Sequence, residues 1–292
     1  MHLRQIGDTK VSAIGLGGMP MSIEGRPDES RSIATIHAAL DAGITLIDTA
    51  DAYHLGAHDV GHNESLIARA LTSYGGDTSE VLVATKGGHL RPGNGSWTLD
   101  GSPDHLRRAC DASLRRLGVD AIGLYQFHRP DPTVAYEDSI GALRDLLDQG
   151  KIRMAGISNA DPDQIRTAQQ ILGGRLASVQ NEYSPAFRSS EPELRLAESL
   201  GIAFLPWSPL GGIKNAAELG TTYQVFAQVA REIDATPQQV ALAWMLATSP
   251  TVIPIPGSSR PETILASAVA VDLVLTPAQV SRLAQTSTRE PS

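Results

Sequence analysis

"TLIDTADAYH", residues 45–54, ends a short apolar run on an acid and holds a tyrosine five residues beyond it. Leu46 and Ile47 are strand-like core residues, so Asp48 falls where a short buried strand meets a loop. An unpaired charge is costly there, and the acid is expected to be a helix cap, a paired ion or part of a site. Runs of the same kind recur along the whole chain. "VSAIGLG", "TLID", "VLVATK", "AIGLYQFH", "IRMAGIS", "LASVQ", "AFLPW" and "TVIPI" make eight, separated by amphipathic segments at 29–41, 64–71, 103–117, 133–149, 162–172 and 191–200. Pro103 follows Ser102 and Pro162 follows Asp161, each a capping residue before a first-turn proline. Helical stretches at 223–233 and 237–247 follow the seventh run, and 261–270 and a last helix from about 277 follow the eighth. Eight such units predict an α/β chain folded as a closed (β/α)8 barrel, with extra C-terminal helices.

An open doubly wound sheet shares the alternation but lacks its marker here. "GLGGM" at 15–19 is glycine-rich without being G-x-G-x-x-G, and "PMSIEGRPDES" after it reads as loop rather than helix. The opening "MHLRQIGDTKVSAIGLG" reads as two short strands around Gly7-Asp8, a hairpin over residues 1–11 that closes the barrel floor. With no linker, solenoid-length repeat or low-complexity block, residues 1–292 are expected to form one domain.

The totals exclude several function classes. With 24 Lys+Arg against 32 Asp+Glu, the net charge of −8 repels phosphate backbones and anionic lipid, so no nucleic acid or membrane partner is expected. Cys110 is the single cysteine, which rules out an internal disulfide and a cysteine-rich zinc site. "MHLRQIGDTK" lacks the apolar run of a signal peptide, and no segment reaches the length of a membrane span. A soluble, cytoplasmic protein is the expectation.

Barrels of this kind place chemistry at the C-terminal ends of their strands. Asp48 ends the second run with Tyr53 on the loop after it, Lys86 ends the third and His128 ends the fourth. Neighbouring parallel strands lie about 5 Å apart, within side-chain reach. A tyrosine with an ordinary pKa of about 10 is a poor acid at neutrality, and an ammonium beside it lowers that value. Lys86 is the expected ammonium, Asp48 the acid that keeps it charged when buried, and His128 the group that orients a carbonyl or passes a proton. Taken singly, each residue is as well explained as a cap, a loop contact or a packed side chain. Four compatible groups at successive strand ends favour a site.

"LIDTADAY", "VLVATKGG" and "LYQFHRPDP" resemble the three segments that carry the catalytic aspartate, tyrosine, lysine and histidine of the aldo-keto reductases, here Asp48, Tyr53, Lys86 and His128. The resemblance runs along nearly the whole chain and implies a barrel that binds NADPH, with NADH as the alternative, in extended form and without a Rossmann unit. It implies a small-molecule aldehyde or ketone substrate and a monomer. Ser158 and Asn159 of "GKIRMAGISNAD" and Gln180 of "SVQNEYSP" fall where the family holds the nicotinamide carboxamide. Trp207 of "PWSPLGG" falls where an aromatic ring stacks on the nicotinamide, with Ser208, Leu210 and Gly212 near the pyrophosphate and Gly18 and Met19 on the cofactor side. Gly257, Ser258, Ser259 and Arg260 of "IPIPGSSRPE" match the adenosine phosphate segment, where Arg260 precedes a helix start. The implied reaction is direct hydride transfer to a carbonyl carbon with Tyr53 as general acid.

The chain departs from the family pattern in places. Many NADPH-specific relatives have a lysine at the position of Gly257, an arginine near Thr263 and Glu-Asn at Ala266-Ser267, which leaves Arg260 as the local cation for a 2′-phosphate. The segment "IKNAAELGTTY" after Gly212 is short beside relatives that fold a longer one over the cofactor, so an open pocket and quick cofactor exchange are expected. His54, His58 and His62 are spaced four apart, but Gly56 and Gly61 argue against a helix through them. No metal is expected, and His54 and Trp97 are assigned to the substrate pocket wall. Two other readings stay open: a redox-sensing nicotinamide-binding module of the channel-subunit type, and a Schiff-base lyase with Lys86 as nucleophile.

Overall fold

In the computed structural model, which describes residues 1–212 and 215–285, the chain opens with an antiparallel hairpin of β1 (Leu3–Ile6) and β2 (Thr9–Ser12). Gly7 makes its turn with φ 55°, a left-handed value that favours glycine. Parallel strands follow as β3 (Leu16–Gly17), β4 (Leu46–Asp48) and β5 (Leu82–Gly87). A small hairpin, β6 (His89–Leu90) with β7 (Thr98–Leu99), interrupts them. The sheet resumes as β8 (Ile122–Phe127), β9 (Ile152–Ser158), β10 (Leu176–Gln180) and β11 (Ala203–Phe204). The seven lie side by side in chain order, from β3 at one edge to β11 at the other.

The eighth run closes the ring without becoming a ladder strand of its own. Phe204 N donates to Thr251 O at 2.9 Å and Ile253 N to Phe204 O at 2.8 Å, which ties residues 251–255 to β11. On the other side Gly15 N donates to Pro254 O at 2.9 Å and Gly17 N to Pro256 O at 3.0 Å, which ties the same segment to β3. Pro254 and Pro256 have no N–H to give, so towards β3 these two residues serve only as acceptors, and the donor on that side is Ser258 N to Gly17 O at 3.3 Å. The apolar run "TVIPI" is therefore a barrel stave whose sequence forbids half of its ladder.

Alternation along the strands sorts side chains into an inner and an outer set. Leu46, Leu82, Ala84, Leu124, Met154, Ala177, Ala203, Leu205, Ile253 and Ile255 pack together as the barrel interior, and Ile6 and Val11 of the hairpin join them. The hairpin thus plugs the floor. Outside, the strands are covered by α1 (Glu29–Asp41), α2 (His62–Ser73), α3 (Pro103–Leu117), α4 (Tyr136–Asp148), α5 (Pro162–Ile171) and α6 (Glu191–Ser199). Beyond β11 come α7 (Leu219–Thr222), α8 (Gln224–Glu232) and α9 (Pro237–Thr248), then α10 (Pro261–Ala268) and α11 (Pro277–Ala284). None of the helices among the described residues is long and apolar enough to cross a membrane.

Two helix starts differ from the sequence expectation. α2 begins at His62 rather than residue 64, because Gly61, at φ 76°, turns the chain directly into it. α4 begins at Tyr136 rather than residue 133, because Asp131 accepts from both the backbone N–H (2.9 Å) and the hydroxyl (2.7 Å) of Thr133 and holds that stretch as a turn. Ile213 and Lys214, the first residues of "IKNAAELGTTY", lie outside the described residues; the remainder forms a short 3-10 turn at Ala216–Glu218 followed by α7.

Candidate active site

Leu82, Ala84 and Lys86 share one face of β5, so the lysine is the next inward residue above two interior side chains; Asp48 stands in the same relation to Leu46 on β4. The strands are paired neighbours, with Asp48 opposite Ala84. Lys86 has no exposed surface. Its ammonium donates to Asp48 Oδ2 at 2.7 Å, to Thr49 O at 2.8 Å and to the Tyr53 hydroxyl at 3.2 Å, which engages all three of its donors. Asp48 Oδ1 receives Gln180 Nε2 at 2.8 Å. Of the three roles open to the acid in "TLIDTADAYH", the structure gives it the paired ion.

His128 follows β8 directly, and its backbone N–H donates to Gly87 O at 2.9 Å. Its ring meets the Tyr53 ring edge-on with centroids 5.8 Å apart, and its buried Nδ1 has no partner. Sequence placed these four groups together, and in the structure they share one corner of the barrel mouth.

Their electrostatics differ from the expectation at one point. Burial pulls the Lys86 ammonium down, but the Asp48 carboxylate and then Tyr53 outweigh it, and the net shift is upward, so the lysine stays charged. Burial pushes the Tyr53 phenol above its ordinary value; Lys86 opposes this, Asp48 reinforces it, and the net shift is up rather than down. The ammonium alone would acidify the phenol, but the carboxylate 2.7 Å from Nζ cancels much of its field. His128 is held well below the usual histidine range by burial, with Lys86, His89 and Arg129 adding to the effect, and its ring is neutral.

These groups open into a cleft of about 240 Å³. Tyr53, Asp48 and His128 line it, whereas Lys86 sits behind them. Of the residues expected on the cofactor side, Met19, Ser158, Asn159, Gln180, Trp207, Ser208, Leu210, Gly212 and Gly257 line it as well. Gly18, Ser258, Ser259 and Arg260 do not. Gly18 is instead packed beneath Asn63 and the backbone of Asp48, where a Cβ would come within 2.5 Å of Asn63 Oδ1. Ser258 is buried, and its hydroxyl donates to Arg260 O at 2.9 Å, so it is occupied within its own turn; Arg260 is exposed at the start of α10.

The lining offers an aromatic face and amide partners that suit a nicotinamide. Trp207 offers an aromatic wall, and its buried Nε1 has no partner. Gln180 Oε1 accepts no hydrogen bond among the described residues, which leaves one acceptor for a carboxamide. Ser158 donates to Gln180 O at 2.8 Å, and Asn159 Nδ2 donates to His128 O and to Ser158 Oγ, each at 3.0 Å. Asn159 and Ser208 are held at φ 57° and 49°, left-handed values that are uncommon outside glycine and that concentrate at functional sites.

Two pocket-wall expectations separate. Trp97 lines the cleft, tilted against His89 with centroids 4.7 Å apart and with the Arg91 guanidinium over its ring at 4.7 Å. His54 does not line it: the side chain is buried, and its backbone carbonyl accepts from Arg91. Among the described residues no group of three His, Cys, Asp or Glu side chains is placed to hold a metal, and His62 is tied to Ser22 Oγ at 2.8 Å. Sequence reading passed over His89 and Arg129, both of which line the cleft. Each sits just past a strand end, Arg129 directly after His128, and the strand-end rule applied one residue further finds it.

Comparison with known proteins bears on the whole arrangement. The aldo/keto reductase family model matches residues 13–288. The chain belongs to the aldo/keto reductase family. This aldo-keto reductase is 36% identical to an uncharacterized oxidoreductase of Schizosaccharomyces pombe over 88% of its length and 80% of the relative. It is also 36% identical to a 6-dehydroglucose reductase of Novosphingobium aromaticivorans, over 92% of its own length and 90% of that protein. Its fold matches that of an aldo/keto reductase from Klebsiella pneumoniae solved with NADP and acetate, with a TM-score of 0.80, 26% identity and 96% and 93% of the two chains covered. It is an oxidoreductase with the (β/α)8 fold of its family.

Proposed function

We propose that this protein reduces an aldehyde or ketone to an alcohol with NADPH as hydride donor and Tyr53 as general acid. The observation that carries the reading is the Lys86 ammonium, held 2.7 Å from Asp48 and 3.2 Å from the Tyr53 hydroxyl in a buried corner of the cleft. When bound, the reduced nicotinamide supplies the hydride. Tyr53 gives its proton to the carbonyl oxygen as negative charge develops there, and Lys86 stabilises the phenolate left behind. Asp48 keeps Lys86 charged throughout. His128, neutral and lining the cleft, directs a ring N–H at the same oxygen.

Ser158, Asn159 and Gln180 would hold the carboxamide, Trp207 would lie against the nicotinamide, and Ser208, Leu210 and Gly212 with Met19 and Gly257 would border the pyrophosphate. Gly18 shapes that border from behind. Ser259 and the exposed Arg260 are the groups left for a 2′-phosphate, which favours NADPH over NADH. A Schiff-base role for Lys86 would need a neutral amine with a free lone pair, whereas its net shift is upward and all three donors are engaged. A sensing module with poor turnover has no observation in its favour.

The test is oxidation of NADPH and of NADH by the purified protein with a panel of aldehydes, ketones and quinones. Turnover with NADPH as the better donor is expected. Cofactor binding without turnover on any carbonyl would instead support the sensing module.

A further inference from the structure

Arg129 has no part in the proton transfer, yet it lines the same cleft as Tyr53, His89, Trp97 and His128. Among the described residues its only hydrogen bond runs from Nη2 to Asn159 Oδ1 at 3.0 Å, and no carboxylate lies within ion-pair distance. A guanidinium has five N–H donors, so most of its recognition capacity is unused. Glu182, which is half-buried, feels Arg129 electrostatically without pairing with it, and burial raises its carboxyl against the pull of that guanidinium.

The other charges of the cleft cancel. Asp48 is paired with Lys86, and His89 and His128 are both held neutral, His89 down to about 4 by burial and Arg129. Arg129 therefore stands in the same cleft as the reacting groups with no ion-paired carboxylate among the described residues. Next to it are the rings of His89 and Trp97, which also line the cleft and pack against each other at a tilt of 39°. A single planar guanidinium matches a single carboxylate in charge and in its two-point geometry, whereas a phosphate dianion would be left half-neutralised.

We propose that Arg129 determines substrate choice by binding a carboxylate, and that the preferred substrates are aldehydes or ketones that carry a carboxylate beside an apolar or aromatic body. The inference rests on the carbonyl-reductase reading given above. Arg129 acts on the substrate and not on the proton transfer, so its loss is read mainly in KM.

The experiment compares 4-carboxybenzaldehyde with its methyl ester, which has nearly the same shape and no charge. The wild type is expected to favour the acid by about tenfold or more in kcat/KM, the size of one charge-assisted contact. In Arg129→Met that ratio falls toward one, and Arg129→Lys restores part of it. Benzoate, which has no reducible carbonyl, gives a readout that does not depend on turnover. It should quench tryptophan fluorescence in the wild type and bind about tenfold more weakly to Arg129→Met. Equal use of acid and ester by the wild type, a ratio that survives Arg129→Met, or equal benzoate affinity in both proteins would overturn the proposal. A parallel rise in the NADPH dissociation constant with no change in the ratio would assign Arg129 to the cofactor instead. If no carbonyl compound turns over, the carbonyl-reductase reading fails, and the benzoate titration still decides whether Arg129 is a carboxylate site.

Discussion

Gln180 on β10 reaches across the barrel mouth to Asp48 on β4, with 2.8 Å between Nε2 and Oδ1, although three strands separate them in the sheet. Lys86 holds the other oxygen, so the one acid of the site is fixed from two sides. Gln180→Leu would leave a buried carboxylate oxygen without its donor and cost about 1–3 kcal/mol. Asp48→Leu would strand a fully buried ammonium and cost more, about 3–5 kcal/mol. Urea unfolding of the two variants checks the order, and equal destabilisation would contradict it.

The buried histidines give a pH prediction for stability. His128 and His89 have folded values below the ordinary 6.5, so above that pH both are neutral in either state and cost nothing. Below 6.5 the unfolded chain takes up protons that the folded chain refuses, so stability falls as the pH falls, down to about 4, where His89 itself titrates. Melting temperatures from pH 8 to 4.5 should show the decline, and it should be shallower in His89→Phe.

Turnover should follow the opposite limb. Tyr53 has a raised value, so in the reducing direction its proton is present through neutrality and is lost only as pH rises through a point above 10. The reductive kcat is expected to show no alkaline break below about pH 9.5. A break near 7 or 8 would mean that the ammonium prevails over burial once the cofactor is in place.

Glu24 and Arg91 form an ion pair behind Trp97, one wall of the cleft. Arg91 is almost wholly buried and joins the carboxylate of Glu24 to the carbonyl of His54, with its guanidinium over the Trp97 ring. Glu24 is mostly exposed, so Glu24→Gln should cost less than about 1 kcal/mol in stability. It should raise KM for the carbonyl substrate several-fold by loosening Trp97, with kcat little changed. Steady-state kinetics separates the two constants, and an unchanged KM would mean that Trp97 is held by packing alone.

Behind the site, Glu64 is fully buried and accepts from Thr85 Oγ1 and Arg116 Nε, each at 2.6 Å. Gly61 makes room for that arginine. A Cβ there would come within 2.0 Å of Arg116 Nε at a backbone φ of 76°. Gly61→Ala should therefore cost about 2 kcal/mol or more, through both strain and displacement of Arg116. Denaturant unfolding measures it.

The fold was legible because its signals are local. Seven of the eight apolar runs pair as parallel strands, and the eighth was readable as a stave even though Pro254 and Pro256 deny it a full ladder. Asp48, Lys86 and His128 were visible because strand ends are visible. The hairpin of β6 and β7 was not, since two-residue strands carry no periodicity, and with it went His89. His54 was misplaced because its position on the loop says nothing of which way the side chain turns. The direction of the Tyr53 shift was illegible for a deeper reason. It depends on burial set against two opposed charges a few ångströms away, and no sequence pattern fixes that balance.

The most direct measurement is single-turnover hydride transfer in Tyr53→Phe with NADPH bound beforehand. The variant keeps the ring and loses only the hydroxyl. NADPH affinity by fluorescence titration is expected to stay within a few-fold of wild type, while the transfer rate drops by about 10²–10⁴. A rate within a few-fold of wild type, with affinity intact, would show that the proton comes from elsewhere and that the Asp48–Lys86–Tyr53 arrangement serves only the fold.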